Sequence, residues 1–131
     1  MKNLLRKILG DRGERTAVRF LKSQGFRILE RGHRNVGGEI DIVALDGPQI
    51  VFVEVKTRSG SEMGKPFEAV DLRKQQKLTR AALVWLKENR RLSQSARFDV
   101  ISIEWPDESS TPTIMHFRHA FEATGNDGFF G

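Results

Sequence analysis

Hydrophobic positions along the chain change period several times, and each change marks an element. From residue 11 to about 24, Ala17, Val18 and Leu21 recur at helical spacing, with Phe20 at the edge of the stripe. Asp11 is placed to cap that helix, Glu14 to complete a capping box, and Gly25 to stop it. The pattern then turns to strand. Residues 26–31 predict a first strand, 39–45 a second and 50–56 a third, the last two rich in Val, Ile and Phe. Asp46-Gly47-Pro48-Gln49 between them is a turn signal. Helical spacing returns from about 67 to 89, where Leu78, Ala81, Ala82, Trp85 and Leu86 form an apolar stripe. Residues 97–105 read as a fourth strand and 113–121 as a last edge strand, with polar loops at 59–66 and 106–112. The order is helix, three strands, helix, two strands. It predicts the α/β class, a mixed central sheet flanked by helices. One domain is expected over 11–121, preceded by a basic, apolar amphipathic arm at 1–10 and followed by a poorly ordered tail at 122–131.

Length and composition agree with one domain: 131 residues are enough for a real core. The 22 Lys and Arg exceed the 17 Asp and Glu, for a formal charge of +5. That balance permits an anionic partner, nucleic acid above all. With no cysteine, disulfides and Cys-ligated zinc or iron–sulfur sites are excluded, which is compatible with a reducing cytoplasm. No apolar run approaches the roughly 18 residues of a membrane span, and the opening segment lacks the features of a signal peptide. No membrane association is expected.

The hairpin carries the chemistry. If Asp46 pairs with Gln49, the register places Leu45 opposite Ile50, Val43 opposite Phe52, Asp41 opposite Glu54 and Glu39 opposite Lys56, all on one face. Opposed residues lie roughly 4.5–5.5 Å apart at Cβ, and opposed like charges destabilise a sheet. A divalent cation between Asp41 and Glu54 would offset that repulsion. It could also polarise a phosphodiester and lower the pKa of a bound water. Lys56 is placed to stabilise charge on phosphoryl oxygens or to position the water. The plainer alternative, a solvated charged strand face, does not account for the opposed Asp41.

Other polar residues fall where apolar ones are expected. Glu14 shares a face with Ala17, Val18 and Leu21, and is either the capping-box partner of Asp11 or a further metal ligand. Gln75 lies on the stripe of the long helix, either as a hydrogen-bond partner of a Lys, water or phosphate or as a satisfied amide at the sheet edge. Glu39 is either a metal or water contact or the ion-pair partner of Lys56. Asp99 reads as structural, and His33, His116 and His119 lack ligand spacing. Arg31, Arg34 and Arg58 flank the acid-bearing strands, and Lys74 and Lys77 accompany Gln75, an arrangement that could cradle a phosphate backbone.

Asp41 followed by Glu54-Val55-Lys56 resembles the PD-(D/E)XK nuclease signature, with Ile40 in place of its Pro. The wider pattern resembles the YraN-like family of small bacterial proteins. It includes Gly13-Glu14, Gly38-Glu39-Ile40-Asp41, the run from Val51 to Arg58, Pro66-Phe67-Glu68-Ala69-Val70, Lys74-Gln75-Gln76-Lys77-Leu78 and Arg97-Phe98-Asp99-Val100-Ile101. The resemblance covers residues 11–104.

This resemblance implies a restriction-endonuclease-like core similar to Holliday-junction resolvases and tRNA-endonuclease-like proteins. It implies a site of Glu14, Asp41, Glu54 and Lys56 using Mg²⁺ or Mn²⁺. The expected activity is phosphodiester hydrolysis in nucleic acid, more readily DNA than RNA, with branched or recombining DNA in view. The competing expectation is a non-catalytic nucleic-acid-binding or adaptor protein on the same fold, which has no need of the intact acid–acid–Lys set. A homodimer is expected only by analogy with resolvases.

Overall fold

The computed structural model describes residues 2–59, 70–107 and 111–124. The elements, in chain order, are α1 (Lys2–Ser23), β1 (Arg27–Asn35), β2 (Gly38–Asp46), β3 (Gln49–Ser59), α2 (Leu72–Glu88), β4 (Ala96–Trp105) and β5 (Thr113–Phe121). The strands form one sheet in chain order. β3 and β4 are parallel and the other neighbours antiparallel, so the sheet is mixed. The reason lies in the connections: the two-residue turns at 36–37 and 47–48 can only reverse a strand, the connection at 106–112 is too short for a crossover and returns β5 antiparallel beside β4, and the α2 crossover brings β4 back parallel to β3.

The two faces carry separate cores. Ile42, Ala44, Val51, Val53, Ile101 and Ile103 pack under Ala17, Val18 and Leu21 of α1. Val43, Ile50, Phe52, Phe98 and Val100 pack under Leu78, Ala81, Ala82, Trp85 and Leu86 of α2. Covered on both sides, the Ile50–Val53 stretch of β3 is apolar without alternation. This is the mixed α/β sheet flanked by helices expected from the element order, and it is consistent with the restriction-endonuclease-like core implied by the resemblance. Among the described residues, no helix is long and apolar enough to cross a membrane.

The N-terminal expectation needs correction. α1 begins at Lys2 and runs through Gly10 and Asp11, so residues 2–10 are its first turns rather than a separate arm. Asp11 is exposed within the helix and no capping box forms there. Leu9, about two turns before Ala17, extends the apolar stripe back onto the core, and packing of that stripe carries the helix across the glycine. The C-terminal stop is as expected: Gly25 has φ +92°, with Gly25 N–H bonded to Lys22 O and Phe26 N–H to Leu21 O, each at 3.0 Å.

α2 starts later than its apolar stripe suggested. Asp71 caps it, accepting the Lys74 N–H at 2.8 Å, and Leu72 is its first residue. Residues 67–69, most of the loop expected at 59–66, part of that at 106–112, and the tail beyond 124 lie outside the described residues. The first residues of the expected tail are docked: Ala123 packs on the α2 core, and Thr124 N–H donates to Thr79 Oγ1 at 3.2 Å.

Asp99 on β4 is fully buried and heavily bonded. Arg97 grips both its oxygens, Nε to Oδ1 at 2.9 Å and Nη2 to Oδ2 at 3.2 Å; His116 Nε2 lies 2.7 Å from Oδ2, and His119 N–H donates to Oδ1 at 3.0 Å. The β4–β5 ladder shifts register at this point, and His119 takes a left-handed φ of 49°. The carboxylate satisfies a backbone donor at the irregularity, in keeping with its expected structural role.

Candidate functional site

Turn chemistry sets the β2–β3 register, and the site lies where that register stops. The ladder runs from Asp46–Gln49 through Leu45–Ile50, Ala44–Val51 and Val43–Phe52 to Ile42–Val53, and ends there. The next opposed pair would be Asp41 and Glu54. In place of a further rung, Asp41 Oδ2 accepts the Val55 N–H at 2.8 Å. β3 continues beside β4 as far as Ser59–Trp105. The two acids therefore sit at a fork between strands, where β2 leaves β3.

Both carboxyl groups are held up in pKa, chiefly by burial. Glu54 is pushed to about 7 by burial and by the Asp41 charge, against the opposing pull of Lys74 and Lys56. A hydrogen bond between the two carboxyl groups favours keeping the proton on Glu54. Asp41 is also raised by burial, opposed by the Val55 N–H and by Lys74. Lys56, two residues beyond Glu54 on the same strand face, favours the ionised form of both acids. A third element contributes Lys74: from the first turn of α2 its Nζ stands 3.8 Å from Glu54 Oε1.

Glu14 approaches from the other face. Gly13 brings α1 close to β3 at Thr57 and Val55, and Glu14 lies near enough to Asp41 to feel its charge. Its carboxylate is nevertheless committed to Arg31 of β1, with Nε 3.2 Å from Oε1. Burial raises the Glu14 pKa more than Arg31 lowers it. A cleft of about 220 Å³ leads to Asp41 on this side, between Lys7, Gly10, Asp11 and Glu14 of α1 and Val55 and Thr57 of β3.

The remaining expected residues divide. Glu39 does not face Lys56: the β2–β3 ladder ends before that pair, and Glu39 instead pairs with Arg34 across β1 at 2.9 Å. Gln75 is engaged elsewhere. Its amide donates to Val70 O at 2.8 Å, and it lines a separate cleft of about 490 Å³ with Val100, Phe117 and Phe121. Arg58 pairs with Glu104 at 3.6 Å and is mostly covered. Lys77 is exposed on α2. Pattern reading missed the partnership of Arg31 with Glu14 and that of Lys74 with Glu54. A signal for the second was present, since a lysine in the first turn of a helix opposes the helix dipole.

As a donor set, Asp41 and Glu54 offer two half-buried, mutually repelling carboxylates, which suits a divalent cation with hard-oxygen preference. Among the described residues no three His, Asp or Glu side chains gather at one point. Glu14 would join the pair only by leaving Arg31.

Comparison with known proteins supports the resemblance drawn from the motifs. Residues 13–103 match the model of the family described as "Uncharacterised protein family UPF0102". The UPF0102 protein of Geobacter metallireducens is 50% identical over 120 residues, covering 92% of this chain and 97% of that protein. UPF0102 protein RB9115 of Rhodopirellula baltica is 43% identical over 126 residues, covering 94% of this chain and 75% of its own length. The UPF0102 protein of Pelotomaculum thermopropionicum is 41% identical over 116 residues, covering 88% and 97% respectively. The matched span reaches from Gly13-Glu14 through both acids of the fork and Lys56 to β4, and the chain belongs to the UPF0102, YraN-like family.

Proposed function

We propose that the protein is a Mg²⁺- or Mn²⁺-dependent endonuclease that hydrolyses phosphodiester bonds of DNA, branched or recombining DNA among its substrates. The observation that carries this reading is the burial of Asp41 against Glu54 at the fork, with Lys56 and Lys74 beside them. Two opposed acids are unfavourable in an apolar sheet unless they serve a ligand. Asp41 and Glu54 would hold the cation, which when bound polarises the phosphodiester and acidifies a water. Lys56 stabilises charge on the phosphoryl oxygens as the bond breaks. The exposed Arg34 and Lys77 meet backbone phosphates and fix the position of the strand without reading bases. A reducing cytoplasm is the expected setting, and a homodimer follows only by analogy with resolvases.

The test is incubation of the purified protein with labelled linear, nicked, flapped and four-way DNA in Mg²⁺, Mn²⁺ or EDTA. Cleavage that needs the cation and disappears in Asp41→Asn and Glu54→Gln supports the reading; no cleavage of any substrate sinks it. A second reading, a non-catalytic nucleic-acid-binding or adaptor protein, is favoured by one observation. The ion pairs Arg31–Glu14 and Lys74–Glu54 supply the acids with positive charge from within the chain. That reading predicts nucleic-acid affinity indifferent to divalent cations.

A further inference from the structure

Two acids around the fork are each covered by a base from a different element. Glu14 of α1 is 20% exposed, and Arg31 of β1, whose Nε is 3.2 Å away, is 45% exposed. Glu54 of β3 is 11% exposed, and Lys74 of α2, whose Nζ is 3.8 Å away, is 42% exposed. In both pairs the acid lies beneath and the base reaches solvent. The bases come from opposite faces of the sheet, one on the α1 side and one on the α2 side. Asp41 is close to both pairs: its charge raises the pKa of Glu14, and Lys74 in turn lowers that of Asp41.

The placement of Lys74 points the same way. It occupies the first turn of α2 next to Arg73, with its backbone N–H bonded to the Asp71 cap. The first turn of a helix favours acids, and α2 has none there. What holds Lys74 in this position is the buried acid pair, since Asp41 and Glu54 both feel its charge.

We propose that Arg31 and Lys74 are resident counter-charges of the acid site, displaced toward solvent when a divalent cation enters and then available to the phosphates of the substrate. The inference rests on the reading of Asp41 and Glu54 as cation ligands. Its physical basis is charge balance. A dication among the acids removes the attraction that holds the two bases down and repels them outward. Outward for each is solvent, to which both side chains are already partly exposed and from which a phosphate can reach them. Cation and nucleic acid then reinforce each other's binding through these two side chains, and by linkage the reinforcement is reciprocal. Glu14, released by Arg31, becomes able to turn toward Asp41 and join the cation.

The test is a thermodynamic cycle on the full chain, with Ca²⁺ as the cation and a labelled DNA duplex as the probe. DNA affinity is measured by anisotropy with Ca²⁺ and with EDTA at constant ionic strength; Ca²⁺ affinity is measured by calorimetry without DNA. Three proteins are compared: the natural sequence, Arg31→Gln/Lys74→Gln, and Lys22→Gln/Lys87→Gln as a control that removes the same charge from exposed positions away from the site. Ca²⁺ should tighten DNA binding by about tenfold in the natural protein and the control, and by less than about twofold in Arg31→Gln/Lys74→Gln. That variant should also bind Ca²⁺ more tightly than the natural protein when no DNA is present. Full tightening in the double variant overturns the proposal while leaving the cation site standing. If the natural protein binds no Ca²⁺, or Glu54→Gln binds it equally well, the cation site and the proposal fall together. Should the double variant melt, Lys74→Gln alone runs the same cycle and must show a reduced tightening.

Discussion

Gly13 of α1 lies so close to Thr57 of β3 that a Cβ built on it would stand 2.1 Å from Thr57 Cγ2. This contact sets how near α1 comes to the strand carrying Glu54, and so where Glu14 sits relative to Asp41. A glycine inside a helix is otherwise a liability of about 0.5–1 kcal/mol against alanine.

Two effects thus compete in Gly13→Ala, and the steric one wins. Overpacking should cost roughly 1–3 kcal/mol and outweigh the gain in helix propensity. The double variant Gly13→Ala/Thr57→Ala should recover the loss, because Thr57 Cβ is 3.5 Å from the new methyl group. Gly37 offers the contrast: its Cβ would meet Ala81 N and the Arg80 carbonyl carbon at 2.7 Å, backbone atoms that no side-chain truncation removes. Gly37→Ala should therefore be the more destabilising single change, with no such rescue. Urea denaturation of the three variants and the natural protein checks the order; a Gly13→Ala protein more stable than the natural one would show that α1 does not depend on this approach.

Asp99 gives a pH dependence with a definite sign. Burial would raise its pKa, but the bonds from His116, Arg97 and the His119 N–H together hold it below its ordinary value of 3.8. A carboxylate more acidic when folded than when unfolded contributes stability that is present above about pH 4. That contribution is lost as the pH falls through the lowered folded value. The natural protein should lose stability on acidification below pH 4, and Asp99→Asn, already destabilised by a few kcal/mol at neutral pH, should lose less over the same range. Denaturation midpoints measured from pH 7 down to pH 2.5 decide it; parallel profiles for the two proteins would contradict the assignment.

How much of this was legible in the residues depends on the range of the interaction. The hairpin register was readable because Gly47-Pro48 makes a two-residue turn and each strand then counts off from it, correctly as far as Ile42 and Val53. Beyond that point the register could not be read, since a side chain, Asp41, replaces the backbone rung at Val55. The same counting that brought Asp41 to Glu54 wrongly brought Glu39 to Lys56. The start of α1 was misplaced because Gly10-Asp11 resembles a helix opening. Only the packing of Leu9 on the sheet shows that the helix runs through. Contacts between distant segments, such as Arg31 with Glu14 and His116 with Asp99, had no local pattern to announce them.

The acid pair sets the opposite slope to Asp99. Glu54, whose pKa rises from 4.5 to about 7 on folding, binds its proton more tightly in the folded chain. Its contribution is fully present below pH 4.5 and is lost as pH rises through 7. The metal-free protein should therefore be less stable at pH 8 than at pH 5, by up to a few kcal/mol from this group. Glu54→Gln should flatten that decline. Mn²⁺ binding requires the deprotonated pair, so its affinity should rise with pH across the same window and release a proton in calorimetry. Mn²⁺ affinity unchanged in both Asp41→Asn and Glu54→Gln would place the cation elsewhere.

Lys56 separates catalysis from binding. On the proposed nuclease reading its ammonium meets charge that develops only as the phosphodiester breaks, so its effect falls mainly on the transition state. Lys56→Ala should reduce cleavage by at least about a hundredfold, the scale of losing one such electrostatic group. Mn²⁺ affinity should stay similar or rise slightly, because a positive charge next to Asp41 and Glu54 has been removed. Nucleic-acid affinity should weaken only modestly. If Lys56 were one phosphate contact among many, cleavage and binding would instead fall together by the same small factor. A purely structural Lys56 would leave both unchanged and alter only the melting temperature. The three measurements on this one variant distinguish the three roles, and undiminished cleavage by Lys56→Ala would remove the fork between β2 and β3 as the site of the chemistry.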